Sequence, residues 1–309
     1  MRYGIDLGGT KIEIAALAND GSIRLRRRAV SPKGNYRATV EAIAALVEEA
    51  DAELGVRPPV GVGIPGTISP TTGLIKNANS VWLIGHPLDR DLTDRLGRPV
   101  RTANDADCFV LSEASDGAAA GAHSAFGVIL GTGMGGGLVY GGRPIQGINA
   151  IAGEWGHNPL PDPQIRDGLD ERPGPQCYCG RRGCMETYLS GPGFAADHVR
   201  HGGSAASSEE IVAAAARGEP SAQATFARYV DRLARGLGTV VNLFDPEVIV
   251  LGGGLSNVAE LYVQVPQVWQ RYIFSDHVAT RLLKNKHGDS SGVRGAAWLN
   301  PAPAPTESP

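Results

Sequence analysis

Residues 3–17 read YGIDLGGTKIEIAAL: an apolar strand, a glycine turn, then a second strand in which Ile12, Ile14 and Ala16 alternate with Glu13 and Ala15. Gly8 and Gly9 therefore close a hairpin. This is not a Walker loop, which needs G-x-x-x-x-G-K-[ST] leading into a helix. The physical use is related: glycines let backbone N–H groups approach phosphate oxygens closely, Thr10 adds a hydroxyl and Lys11 a charge. Asp6, just before the turn, is placed to hold a Mg²⁺-bound water. A tight hairpin with a chance Asp and Lys accounts for the same residues, so the stretch alone leaves both readings open.

Outward from the hairpin, SIRLRRRAV at 22–30 reads as a third strand. From Asn35 to Leu54, Val40, Ile43, Ala44, Val47, Ala50 and Leu54 recur at helical spacing, and VGVGIPG at 60–66 looks like a buried strand. The logic returns at 126–143, FGVILGTGMGGGLVYGGR, where a glycine turn at 131–137 separates two strands. Two such turns facing across a cleft would clamp a polyphosphate through Gly8, Gly9, Thr10 and Lys11 on one side and Gly131, Thr132 and Gly133 on the other. EVIVL at 247–251 runs into Gly252, Gly253 and Gly254, a third piece expected to meet the nucleotide near the N-terminus of a following helix. The pattern predicts a duplicated α/β fold. Its domains span 1–118, joined by a last helix near 292–300, and 119–291, with a disordered tail at 301–309.

The bulk numbers narrow the function. Net charge is −3 with mixed signs, which leaves no electrostatic footprint for nucleic acid. The one basic run, Arg24 to Arg28, reads as a solvated strand face. No apolar run reaches the length of a membrane span. The opening MRYGIDLGG lacks the basic and apolar regions of a signal peptide, so a reducing, cytoplasmic address is expected. The 42 glycines in 309 residues are about double the usual share of ~7% and cluster beside apolar strands rather than in linkers.

Three of the four cysteines stand in CYCGRRGCME at 177–186. In a reducing compartment such a cluster points to a metal or to catalysis rather than to a disulfide framework. A redox pair would favour C-x-x-C, whereas the spacing here is C-x-C-x₄-C. Cys108 stands apart, on an expected helix DADCFVLSEA, and reads as a buried core thiol.

Taken together, Asp6-Leu-Gly-Gly-Thr-Lys11, Asn104-Asp105, Gly131-Thr-Gly133, Glu154-Trp-Gly-His157 and the cysteine motif ending at Glu186 resemble the ROK family of sugar kinases and regulators. The resemblance runs to about Asn300. It implies an actin-like (ribonuclease H-like) two-domain ATPase fold with a zinc-binding loop, in which ATP and a sugar meet in the cleft. It also implies a structural Zn²⁺ held by Cys177, Cys179, Cys184 and His157, although nineteen residues, NPLPDPQIRDGLDERPGPQ, separate His157 from Cys177. The sugar site it implies comprises Asn104, Asp105, Glu154, His157 and Glu186, with Gly66 and Asn79 near the pocket. A zinc-bound His157 would offer its second ring nitrogen to a sugar hydroxyl.

Asp105 is the expected base, with a plain helix cap as the competing account for it and for Asn104; Glu186 reads equally as a surface carboxylate and Asn79 as a turn residue. KNANSVWLIGHPLD at 76–89, GEWGHNPLP at 153–161 and HGDSSGVRGAAWL at 287–299 look most like the bacterial fructokinase/mannokinase branch. The expected activity is therefore transfer from ATP, with Mg²⁺, to the 6-hydroxyl of fructose, with mannose behind it. A kinase for glucose or N-acetylglucosamine is the alternative on the same scaffold. A sugar-responsive regulator would carry a helix-turn-helix segment before GIDLGG, for which residues 1–3 leave no room, and a non-catalytic sugar-binding protein would have no use for Asp105 and two phosphate turns. A small-molecule hexose is the expected partner; a homodimer is left as an open reading.

Overall fold

The computed structural model describes residues 1–166 and 168–300; the tail expected at 301–309 lies outside the described residues. The chain opens with β1 (Arg2–Leu7), β2 (Lys11–Leu17) and β3 (Ile23–Val30), followed by α1 (Tyr36–Leu54) and β4 (Val60–Ile64). A short hairpin of β5 (Thr67–Ile68) and β6 (Ile75–Lys76) leads to α2 (Leu88–Leu96), β7 (Val100–Asn104) and α3 (Asp105–Asp116). Next come β8 (Ser124–Leu130), β9 (Met134–Tyr140) and β10 (Arg143–Pro144), a small hairpin of β11 (Ile165–Arg166) and β12 (Leu169–Asp170), and four helices: α4 (Glu186–Leu189), α5 (Gly191–Arg200), α6 (Ser208–Ala216) and α7 (Pro220–Phe244). The chain continues through β13 (Val248–Gly252), α8 (Leu261–Trp269), β14 (Arg281–Lys284) and α9 (Ser291–Trp298).

Two five-stranded sheets share one order. The first runs β3-β2-β1-β4-β7 and the second β10-β9-β8-β13-β14, so in each the third, second, first, fourth and fifth strands are neighbours in that sequence. β1 is antiparallel to β2 and parallel to β4, and β8 is parallel to β13. The repeat seen in the two glycine-turned hairpins is thus a repeat of topology.

The described residues divide into two compact units: 1–121, 137–152 and 289–300 form the first, and 122–136 with 153–288 the second. In the first, α1 starts where Asn35 accepts a hydrogen bond from Ala38 N at 3.0 Å and stops at Gly55 in the left-handed region. Its buried face is the one read from periodicity, Val40, Ile43, Ala44, Val47 and Ala50, packed on β1, β2 and β4. α9 lies so close to the sheet that a Cβ on Gly61 would stand 1.8 Å from Ala296 O, and one on Gly4 2.0 Å from Val293 O. These strand glycines exist to admit a helix backbone. Cys108 is fully buried, and a Cβ on Gly295 would meet its carbonyl oxygen at 1.6 Å.

In the second unit α7 is the central helix. It buries Leu233, Leu237 and Tyr229, but also Arg228, Arg232 and Arg235.

Candidate functional site

In the first unit, Gly8 N donates to Lys11 O at 3.0 Å, closing the β1–β2 turn with Thr10 and Lys11 exposed on it. Asp6 is the register partner of Glu13, and Glu13 that of Arg28, so three charges line up across β1, β2 and β3. Glu13 is 2% exposed and is held by Arg26 and Arg28, with Lys11 Nζ at 4.0 Å from its Oε2. The Arg24–Arg28 run is therefore more than a solvated face: two of its arginines neutralise a carboxylate buried inside the neighbouring strand. Burial, followed by the Asp105 and Glu13 carboxylates, pushes Asp6 up to about 6. Gly292, near the start of α9, keeps space before that carboxyl, since a Cβ there would lie 3.6 Å from its carbon.

Asn104 caps α3. Its Oδ1 accepts from Ala106 N at 2.8 Å, and its Nδ2 donates to Gly66 O at 3.1 Å. Gly66 takes φ of +84°, and a Cβ would stand 2.4 Å from Lys76 O, so the turn that presents this carbonyl needs glycine. Asp105 is the first helical residue; it is exposed, and its Oδ1 also accepts from Ala106 N, at 2.8 Å. The cap reading of Asn104 matches the geometry, and the cap fixes where the next carboxylate points. Asn79 lies exposed on a bend before the short 3₁₀ turn Val81–Leu83.

In the second unit, Gly131–Gly133 form the β8–β9 turn, closed by Gly131 N donating to Gly133 O at 3.0 Å. Gly131 O accepts from Gly191 N at 2.8 Å, tying the turn to the start of α5. Beside it lies a pocket of 430 Å³ whose walls include Gly131, Thr132, Pro192, Ser208, Gly254 and Leu255. It is polar at the glycine turn, apolar at Pro192 and Leu255, and suited to a nucleoside. Of the triple glycine, Gly254 lines the pocket. Gly253, at φ of +79° with Leu130 O only 2.4 Å from a notional Cβ, and Gly252, the last residue of β13, shape the strand end instead. The segment directly after them is a 3₁₀ turn, Gly254–Asn257, ended by Val258 in extended backbone, and the expected helix, α8, follows only from Leu261.

The cysteine motif gathers with His157. The donor atoms of His157, Cys177, Cys179 and Cys184 all lie within 4.8 Å of one another. Cys177 Sγ is 3.6 Å from His157 Nδ1, and Cys179 Sγ is 3.7 Å from Cys184 Sγ. A tetrahedron with metal–sulfur bonds of ~2.3 Å and a metal–nitrogen bond of ~2.0–2.1 Å has sulfur–nitrogen edges of about 3.6 Å and sulfur–sulfur edges of about 3.8 Å, so these two pairs match such a site and the four donors, by number and type, could hold a zinc ion. The Arg181 backbone N–H pulls the Cys179 thiol down to about 6, while burial pushes Cys184 up to about 12.

Around the cluster, Trp155 Nε1 donates to Gly135 O at 3.2 Å and its ring meets Phe126 edge-on, seating Glu154 and His157 beside β9. Glu154 is exposed. Glu186 Oε2 accepts from Met134 N at 3.0 Å, so one of its oxygens is committed to the glycine turn. His157 Nε2 lies 3.0 Å from the hydroxyl of Tyr178, whose side chain is exposed.

Within the long stretch between His157 and Cys177, Arg235 of α7 makes several of the contacts that hold it. Arg235 Nη1 donates to Pro161 O at 2.9 Å, Asp162 O at 2.6 Å and Glu171 Oε2 at 2.9 Å, while Nη2 reaches Glu171 Oε1 at 2.9 Å. Arg232 adds a bond to Glu171 at 2.7 Å. Burial raises the Glu171 carboxyl, but bonds from Arg235, the Gln164 backbone and Arg232 outweigh it and hold the group below the ordinary range.

A mixed α/β protein of two like-ordered sheets, with a glycine-turned hairpin in each unit and a Cys₃His cluster, is thereby defined. A profile of the ROK family matches residues 2–302. The chain is 42% identical over 301 residues to N-acetyl-D-glucosamine kinase of Salmonella typhimurium, covering 97% of this chain and 99% of that protein. Among solved structures it resembles the ROK hexokinase of Thermus thermophilus, at 32% identity and a TM-score of 0.84 over 96% of both chains. It also resembles a ROK glucokinase of Streptomyces griseus solved with glucose and AMPPNP, at 28% identity and a TM-score of 0.74 over 96% of this chain and 98% of the other. The chain belongs to the ROK family and groups with its sugar kinases. The actin-like kinase fold follows from the same matches.

Proposed function

We propose that this chain transfers the terminal phosphoryl group of ATP to the 6-hydroxyl of a hexose, with Asp105 as the base. The observation that carries the reading is the exposed Asp105 carboxylate, set on the first turn of α3 by the Asn104 cap and the Gly66 carbonyl. Phosphoryl transfer passes through a loose transition state in which the hydroxyl proton leaves late, so a well-placed carboxylate suffices where a strong base is not needed.

The remaining roles follow the chemistry of the side chains. The Gly131 turn and the pocket beside it suit the nucleotide, and Lys11 with the Gly8–Gly9 turn suits its phosphates. Asp6, crowded by Asp105 and Glu13, suits a divalent cation such as Mg²⁺, which would supply charge neutralisation for the phosphates. Cys177, Cys179, Cys184 and His157 would hold a closed, structural Zn²⁺. Glu154 and the uncommitted oxygen of Glu186 offer acceptors for sugar hydroxyls.

For the sugar, N-acetylglucosamine stands first, because it is the substrate named for relatives 42% identical over 97% of this chain. Fructose, with mannose behind it, is the second reading. It rests on KNANSVWLIGHPLD, GEWGHNPLP and HGDSSGVRGAAWL, which resemble the fructokinase/mannokinase branch. The two differ at carbon 2, where an N-acetyl group needs room and partners for its amide, and unpaired polar groups there discriminate by about 1–3 kcal/mol. Catalytic efficiencies measured side by side test the order. A higher kcat/KM for N-acetylglucosamine is expected, and a higher value for fructose hands the assignment to the second reading.

A further inference from the structure

We propose that Glu209 recognises the ribose of the nucleotide: its carboxylate accepts from the 2′- and 3′-hydroxyls, so the protein selects ribonucleotides over deoxyribonucleotides. This rests on the hexose kinase reading above, in which the pocket beside the Gly131–Gly133 turn holds ATP.

Among the described residues that line that pocket, Glu209 alone carries a charge. An acidic residue in a first helical turn is favoured by the helix dipole, and Glu209 stands in the first turn of α6. The start of α6 is nonetheless capped without it. Ser207 Oγ accepts from Glu210 N at 3.2 Å, and Glu210 Oε2 accepts from Ser207 N at 2.7 Å.

The carboxylate is placed by its neighbours. Ser208 Oγ donates to Glu209 Oε2 at 3.2 Å. The same hydroxyl lies beside Gly191, where a Cβ would stand 3.3 Å from it, and Gly191 N donates to Gly131 O at 2.8 Å. This chain of contacts ties Glu209 to the glycine-turn end of the pocket. Its other oxygen, Oε1, faces Gly254, where a Cβ would lie 3.7 Å away, so glycine there leaves room before the carboxylate.

A carboxylate accepts hydrogen bonds and donates none, and its two oxygens suit a pair of neighbouring donors. Adenosine offers donors in two places, the vicinal hydroxyls of ribose and the exocyclic amine of the base. The base suits the apolar walls of Pro192 and Leu255. Ribose adjoins the phosphates, which the reading above assigns to the glycine turn, and it is the part that stays wet. Glu209 is at that end and exposed. An acidic side chain bonding a ribose hydroxyl is the solution that dinucleotide-binding sheets also use.

The test is Glu209→Ala in the full chain, with dissociation constants for ATP, 2′-deoxyATP and ITP measured by calorimetry without hexose. Wild type is expected to bind 2′-deoxyATP about three- to tenfold more weakly than ATP, the size of one hydrogen bond at an exposed site. The variant is expected to bind the two alike, at the weaker level, while the ratio of ATP to ITP affinity stays as in wild type. Equal wild-type affinity for ATP and 2′-deoxyATP overturns the proposal. So does a preference for ATP that persists in the variant, or one mutation weakening both nucleotides by the same factor, which would leave Glu209 a purely structural role. An ATP to ITP ratio that collapses in the variant moves the contact to the base amine and overturns it as well. Wild-type protein that binds no nucleotide overturns the kinase reading and this proposal with it.

Discussion

Glu186 Oε2 accepts a hydrogen bond from Met134 N at 3.0 Å, which joins the residue that closes the cysteine motif to the first residue after the Gly131–Gly133 turn. The contact is tight: a Cβ on Gly133 would lie 3.2 Å from the same oxygen. One carboxylate thus supports the Gly131–Gly133 turn with one oxygen and keeps the other for the sugar contact proposed above. Glu186→Ala is expected to raise KM for both ATP and hexose, each about tenfold, a size consistent with losing a charge-assisted hydrogen bond. Glu186→Gln keeps an oxygen that can accept from Met134 N, so it is expected to spare KM for ATP and raise that for the sugar. Steady-state kinetics of the two variants check this; equal ATP effects in both would break the link.

Asp6 gives a pH dependence whose sign can be worked out. Its folded-state value is raised to about 6, above an ordinary carboxyl, by burial and by Asp105 and Glu13. The folded protein therefore binds this proton more tightly than the unfolded chain, and stability is lost as pH rises from about 4 to about 6. Asp6→Asn is expected to be more stable than wild type above pH ~6 by about 1–3 kcal/mol, with no gain below pH ~4. Activity should run the other way: wild-type kcat/KM is expected to fall as pH drops below about 6 and the carboxylate protonates. Denaturant titrations and a pH–rate profile measure both.

The metal cluster makes a separate prediction. Purified protein is expected to carry about one zinc per chain, and Cys179→Ser or a strong chelator is expected to lower Tm and weaken hexose binding together, because binding energy at such a site is folding energy for its loop. Active protein free of zinc would contradict it.

Glu171 and Arg235 are both almost fully buried, and Arg235 ties Pro161, Asp162 and Glu171 to α7. Glu171→Ala leaves Arg232 and Arg235 without a carboxylate that each of them binds, and is expected to cost about 3–5 kcal/mol. Urea unfolding monitored by fluorescence would show it, with the hexose KM rising as the segment between His157 and Cys177 loosens. A change below 1 kcal/mol would make the pair dispensable.

Much of this was legible from residue order. The hairpin of residues 3–17 and its echo at 126–140 revealed the duplicated topology, because alternation and glycine turns are local signals. The cysteine cluster itself pointed to three of the four donors that meet, and the resemblance to the ROK family, not spacing, supplied His157 as the fourth. What escaped was set by tertiary partners. Glu13, in an apolar strand, carried a signal that was passed over: a charge at a buried position demands counter-charges, and the arginines of β3 supply them. No sequence rule places Glu171 against Arg235, sixty-four positions away, or commits one oxygen of Glu186 to Met134 N. The helix expected after Gly254 begins only at Leu261, behind a 3₁₀ turn over Gly254–Asn257.

The central claim is phosphoryl transfer from ATP to a hexose 6-hydroxyl with Asp105 as base. It is tested most directly by following ADP release over a panel of hexoses for wild type and Asp105→Asn, with the phosphorylated carbon identified by NMR. The account predicts a 6-phosphate product from the wild type and a fall in kcat of about two to four orders of magnitude in the variant, with hexose affinity retained. ADP release with no hexose in the panel, a product phosphorylated elsewhere, or a variant keeping more than about a tenth of wild-type turnover would contradict it.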